Sequence, residues 1–198
     1  PEDGFDPTAG WGRYGSPLFQ STLLARDREM RIGFDLAKDY SVSPDGLIWE
    51  VVLRDDVRFS DGEPLTARDV VFTFKTAADS GSVLDLTVLA EVEAVQDYRV
   101  RFTLKEPRST FVHTLASLGI VPEHAYSRDY ASHPVGSGPY RFVQWDRGQQ
   151  LIVEANPYYY GDPPHFRRLT FLFLGEDAAF AAARSGQADI AAIPAAFA

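Results

Sequence analysis

The chain has 198 residues, 45% of them hydrophobic, and a formal net charge of -9. That length suffices for one large or two small domains with a real core, and the acidic balance, with scattered Lys and Arg, argues against a nucleic-acid surface. The absence of cysteine removes disulfides, zinc thiolates and thiol catalysis, and no apolar run approaches the roughly 20 residues of a membrane helix.

In chain order, residues 4–17 are rich in Gly and aromatics, including Gly4, Phe5, Gly10, Trp11, Gly12, Tyr14 and Gly15, and predict an ordered loop. Residues 18–24 predict a short helix before a chain crossing at Leu24-Ala25. Ser43-Pro44-Asp45-Gly46 is turn chemistry leading into a strand over Leu47 to Leu53, and Val57 to Ser60 predicts a second short strand closed by Asp61-Gly62. Thr66 and Asp69 have capping-box spacing, and Val70, Phe74 and Ala77 share one face of the helix that follows, which should end near Ser80-Gly81.

Leu89 to Val95 and Arg99 to Leu104 predict a hairpin around Asp97-Tyr98, the second strand alternating Val100, Phe102 and Leu104 with polar residues. Thr110 to Leu118 predicts a helix broken by Gly119. Tyr140 to Trp145 and Leu151 to Ala155 form a second hairpin, with Asp146-Arg147-Gly148 at its turn. Arg168 to Leu174 predicts a strand, Ala178 to Ser185 a helix capped by Gly186, and Ile190 to Ile193 a final short strand. Phe72, Phe74, Trp145, Phe171 and Phe173 are expected in the core. Strands and helices interleave without a regular βαβ beat, so the fold class is mixed α/β with two subdomains.

Several segments occur in a distinctive order. Ala37 to Gly62 runs from a turn through an apolar strand ending Leu53-Arg54-Asp55 to Ser60-Asp61-Gly62. Asp61-Gly62-Glu63-Pro64-Leu65-Thr66-Ala67-Arg68-Asp69-Val70-Val71-Phe72 follows, then Gly136-Ser137-Gly138-Pro139-Tyr140, Asn156-Pro157-Tyr158-Tyr159 and Arg184-Ser185-Gly186-Gln187-Ala188-Asp189-Ile190. With Phe5-Asp6-Pro7 near the start, this pattern resembles the extracytoplasmic solute-binding proteins, family 5, of peptide and nickel ABC importers.

The resemblance implies a periplasmic-binding-protein-like (type II) lobe with an inserted accessory α+β domain. It assigns residues 1–24 and 128–198 to the ligand-facing lobe and 25–127 to the accessory domain, with the second lobe absent. Pro1-Glu2-Asp3-Gly4 reads as the interior of a longer chain. The implied function is capture of a short peptide or a nickel chelate in a two-lobe cleft and delivery to ABC transporter permease subunits. It implies no cofactor, and a periplasmic or lipid-anchored location with any anchor outside this stretch. A sensory or scaffold domain without a transporter, and a carboxylate hydrolase, are the alternatives.

By the resemblance, the loop Trp11-Gly12-Arg13-Tyr14-Gly15 lies beside the ligand. Its glycines allow close backbone approach, and Trp and Tyr offer flat walls with polar tips; the same composition also suits an ordered surface loop. Gly136-Ser137-Gly138-Pro139 is either a tight turn or, through Ser137, part of the cleft lining. Ile120 and Val121 form an extended exit flanked by His113 and His124 and count as candidate ligand contacts, with one of the two histidines placed to meet a ligand or a metal chelate. Those two histidines, His133 and His165 lack helical metal-pair spacing. Asp55 and Asp56 are adjacent, so on a strand they face opposite sides and make a poor catalytic pair. Asp61 and Glu63 lie nearby, and turn and cap roles suit Asp61 and Asp69 better.

Overall fold

The computed structural model describes residues 3–13, 18–80 and 84–192. Among them the chain forms nine strands, three α-helices and three 3₁₀ turns. The strands are β1 (Leu24–Arg26), β2 (Ile32–Phe34), β3 (Ala37–Val42), β4 (Ile48–Leu53), β5 (Leu89–Gln96), β6 (Arg99–Leu104), β7 (Tyr140–Asp146), β8 (Gln150–Ala155) and β9 (Arg168–Leu172). The helices are α1 (Ala67–Asp79), α2 (Phe111–Leu115) and α3 (Glu176–Arg184). β1 and β2 form a small hairpin, β3-β4-β6-β5 an antiparallel four-stranded sheet, and β7-β8-β9 an antiparallel three-stranded sheet.

The four-stranded sheet follows from alternation. Trp49, Val51 and Leu53 of β4 and Val100, Phe102 and Leu104 of β6 all point inward. Paired across the register Trp49–Phe102 and Val51–Val100, they present one apolar face. α1 covers it with Val70, Phe74 and Ala77, each fully buried, as the helical spacing requires. Six aromatic rings then run in contact from surface to centre. Centroid distances are 6.1 Å for Phe34–Tyr40, 5.7 Å for Tyr40–Trp49, 5.5 Å for Trp49–Phe111, 5.5 Å for Phe111–Phe102 and 4.8 Å for Phe102–Phe74. Asp69 stabilises the start of α1 by accepting the Thr66 backbone N–H at 2.8 Å.

A second buried cluster is centred on Phe5, Phe19, Leu151 and Val153, with Trp11, Phe142 and Trp145 packed against it. Phe5 meets Trp11 at 5.0 Å, Phe19 at 5.2 Å and Trp145 at 5.0 Å. The larger cluster runs from Leu23 to Ile120.

Several expectations need correction. Residues 18–24 are not helical: they run as an irregular, largely buried segment into β1, because their carbonyls are claimed by other segments. Val57 to Ser60 makes only an isolated bridge, Arg58 to Pro64, since the chain turns back at Asp61-Gly62 before a ladder can grow. α2 stops at Leu115, where the Ala116 N–H is shared between the Val112 and His113 carbonyls. β9 ends at Leu172, and Ile190 to Ala192 carry no strand, while Ile193 lies outside the described residues. Phe171 is 41% exposed rather than core, since it sits on an edge strand.

Gly136 marks a backbone crossing that no side chain can enter. A Cβ there would lie 2.0 Å from the Phe19 carbonyl oxygen and 2.6 Å from its carbon. Gly136→Ala is expected to destabilise the fold by about 3 kcal/mol or more, read as a lowered urea midpoint. A shift within about 0.5 kcal/mol would contradict the tight crossing.

Asp35 is half-buried beside Tyr160. It accepts the Tyr160 hydroxyl and the Thr22 N–H, and Arg54 stacks over the Tyr160 ring at 4.9 Å. Loss of hydration outweighs these bonds and holds the Asp35 carboxyl above its ordinary range. A raised carboxyl binds its proton more tightly folded than unfolded, so its contribution is complete at low pH and is lost as pH rises through the folded value. Asp35→Asn cannot ionise. Relative to wild type it should therefore gain stability between about pH 4 and about pH 7. Urea midpoints at the two pH values check this, and a variant that loses relative stability on going up in pH would contradict it.

Candidate functional site

The first turn is built locally. Asp6 has extended backbone and its side chain accepts the Thr8 N–H at 2.9 Å, capping the 3₁₀ turn Pro7–Ala9, with proline at its first position. Gly10 closes the turn at φ 108, a conformation that favours glycine. Trp11 follows, its ring edge-on to Phe5 at an interplanar angle of 90°. Trp11, Gly12 and Arg13 are each half-buried, at the border of the second cluster. Tyr14 and Gly15 lie outside the described residues. The Trp11 indole N–H is buried and has no hydrogen-bond partner among the described residues.

Of the other residues singled out by sequence, Ser137 and Ile120 lie at one segment, 18–24, and Val121 lies next to Ile120. Gly138 donates its N–H to the Phe19 carbonyl at 2.8 Å, which places Ser137 beside that crossing. Ile120 donates its N–H to the Ser21 carbonyl at 2.9 Å, and Val121 donates to the Thr73 hydroxyl at 3.0 Å. Ile120, Val121 and Ser137 are all 0% exposed. Their side chains are therefore closed off from solvent, while Trp11 to Arg13 are half-buried. The Ser137 hydroxyl, like the Gln20 Oε1, is buried without a partner among the described residues.

A polar network that the sequence did not flag ties these pieces together. Gln20 donates to the Phe5 carbonyl at 3.1 Å and to the Tyr130 hydroxyl at 3.0 Å, and Tyr130 donates to the Val135 carbonyl at 2.7 Å. The Tyr126 ring meets the Tyr130 ring tilted at 34°, with centroids 5.0 Å apart, and its hydroxyl donates to Asp6 at 2.7 Å. Burial raises the Tyr126 hydroxyl to about 12, so it remains a donor at neutral pH. The available signal was the i, i+4 tyrosine pair in a stretch without helical periodicity.

The titratable residues are dispersed. Asp56 is held by Arg54 at 2.9 and 2.7 Å, and Asp61 pairs with His124 at 2.7 Å while also accepting the Glu63 N–H. His113 contacts Arg26, His133 packs on Phe142, and His165 on Phe166. No three His, Asp or Glu side chains among the described residues group as metal ligands. Asp61, His133, Phe142 and Glu154 line an open groove, where Arg141 is already paired with Glu154 at 3.2 Å. No described helix is long and apolar enough to cross a membrane.

With this geometry in hand, the likenesses are specific. Residues 32–198 match the family described as bacterial extracellular solute-binding proteins, family 5 Middle. Protein XP55 of Streptomyces lividans is 36% identical over 97% of this chain and 37% of its own length. The fold superposes on NikZ from Campylobacter jejuni, solved in complex with Ni(L-His), with a TM-score of 0.86, 28% identity, and coverage of 94% of this chain and 42% of that one. It superposes on the oligopeptide-binding protein AppA from Bacillus subtilis, solved in complex with a nonapeptide, with a TM-score of 0.78, 29% identity, and coverage of 86% of this chain and 37% of that one. The chain thus spans 37% to 42% of the length of these three proteins. Its fold is the mixed α/β fold of this group, and the chain belongs to the family 5 bacterial extracellular solute-binding proteins.

Proposed function

We propose that this chain is the first-lobe portion of the substrate-binding component of an ABC importer, acting outside the cytoplasmic membrane. The observation that carries this reading is the superposition on part of a chain solved with a bound nickel chelate, at a TM-score of 0.86. The ligand is a short peptide or a nickel chelate, and the permease subunits of the importer receive it. Any membrane attachment is a lipid anchor outside residues 1–198.

In this reading residues 1–24 and 128–198 are the ligand-facing lobe and 25–127 the accessory domain. The separation of the Phe5–Phe19 cluster from the Leu23–Ile120 cluster supports that division. Five exposed large apolar side chains between Phe166 and Ile190 also fit, because in a lobe completed by further chain they would be covered. Ligand closes the cleft because the closed form buries surface from both lobes, which shifts the open–closed equilibrium. Trp11, Gly12, Arg13, Tyr14 and Gly15 supply the contact from this side.

The two-lobe account makes a quantitative prediction. If the protein carrying both lobes binds at about 1 μM, roughly −8 kcal/mol, and each lobe supplies half, this chain alone keeps about −4 kcal/mol, near millimolar. Calorimetry with a nonapeptide and with Ni(II)–L-histidine, on the chain and on the two-lobe protein side by side, checks it. Micromolar binding by the 198-residue chain would place the whole site within it and contradict the account.

Tyr14→Ala combined with Trp11→Phe, in the two-lobe protein, should weaken binding about tenfold, or about 1.4 kcal/mol. The phenylalanine preserves packing against Phe5, so circular dichroism should be unchanged. Unaltered affinity would remove this loop from the site.

A further inference from the structure

The turn that carries Trp11 is gripped from outside its own cluster. Asp6 Oδ1 accepts from the Thr8 N–H at 2.9 Å and from the Thr8 hydroxyl at 2.8 Å, and Asp6 Oδ2 accepts from the Tyr126 hydroxyl at 2.7 Å. The Thr8 and Tyr126 hydroxyls are themselves 2.9 Å apart, so the three groups close a triangle. Tyr126 follows the 3₁₀ turn Glu123–Ala125, and α1 fixes that turn. Asp69 accepts the Glu123 N–H at 3.0 Å, and Phe72 meets the Tyr126 ring edge-on at 5.2 Å. At the other end of α1, the Ser80 hydroxyl lies 2.9 Å from the Thr8 carbonyl and 3.1 Å from the Ala77 carbonyl, sharing its proton between them.

A three-residue 3₁₀ turn has little stability of its own, because few bonds offset the dihedrals it fixes. Its internal bonds are the Ala9 and Trp11 N–H groups to the Asp6 carbonyl and the Gly10 N–H to the Pro7 carbonyl. The external bonds from Tyr126 and Ser80 arrive on either side of these. We infer that Tyr126 and Ser80, both anchored by α1, form a clamp that sets the position of the Trp11–Arg13 loop. Asp6 and Tyr126 are thereby positioning residues, and α1 holds the loop although it packs on a different sheet. The consequence for ligand affinity rests on the function proposed above; the clamp itself does not.

Hydrogen exchange on the 198-residue chain tests the clamp directly. In Tyr126→Phe, and further in Tyr126→Phe with Ser80→Ala, the Ala9, Gly10 and Trp11 amides should exchange at least about fivefold faster, while β4 and β6 amides and the urea midpoint hardly move. Ser80→Thr in the Tyr126→Phe background should exchange more slowly than Ser80→Ala in that background, since threonine keeps a hydroxyl at position 80. Ser80→Ala alone, at an exposed helix end, serves if Tyr126→Phe does not fold. Unchanged exchange at residues 9–11 overturns the inference. A rise confined to whole-molecule unfolding, with β4 and β6 exchanging equally faster, overturns it as well. In the two-lobe protein the same variants should lose at least about fivefold in affinity for a nonapeptide or Ni(II)–L-histidine. A wild-type protein that binds neither probe would sink the proposed function, while the exchange result would still decide the clamp.

Discussion

The structure depends on one backbone crossing. Residues 18–24 thread between the two buried clusters without regular structure before Leu24, and a buried irregular segment is tolerable only if its polar groups are satisfied. Here the carbonyls of Phe19, Ser21, Thr22 and Leu23 accept from three distant parts of the chain: Phe19 from Gly138, Ser21 from Ile120, and Thr22 and Leu23 from the stretch Asp35 to Ala37. Gly136 and Gly138 make this possible, because any Cβ would collide with the Phe19 backbone. The same few residues therefore join both sheets, and a local helix over 18–24 would leave these donors without their partners.

Around that crossing the molecule is divided by chemistry. The four-stranded sheet and α1 are joined by apolar and aromatic packing, the least directional of the available forces. The junction with the second cluster is instead polar: Gln20 to Tyr130, Tyr126 to Asp6, Tyr160 to Asp35. Directional bonds at a junction fix geometry more than they add stability. On the proposed function this would suit a loop that meets a ligand together with a second surface, since a small misplacement would waste contacts on closure.

How much of this was legible in the sequence varied with the physical origin of each feature. β4, β6 and α1 were readable because Trp49, Val51, Leu53, Val100, Phe102, Leu104, Val70, Phe74 and Ala77 obey the periods of strand and helix. β3 was not read because its burial follows no alternation, only Ala37 being fully buried. Residues 18–24 misled because Leu18, Phe19, Leu23 and Leu24 mimic an apolar helical face, whereas their conformation is dictated by partners far away in sequence. Local pattern cannot register that. Tyr126 and Asp35 escaped for the same reason: a lone polar residue becomes informative only when its distant partner is known. The Trp11–Arg13 loop was singled out by its composition and by the resemblance, yet the sequence could not show that Trp11 packs on Phe5.

The central claim is that this fold retains a small solute only when a second lobe completes it. Native mass spectrometry of the two-lobe protein and of the 198-residue chain, purified identically, tests this most directly. The account predicts a non-covalent mass of a short peptide or a nickel chelate on the two-lobe protein and none on the chain. The same ligand carried in equal proportion by the chain alone, or neither chelate nor peptide on the two-lobe protein, would contradict it.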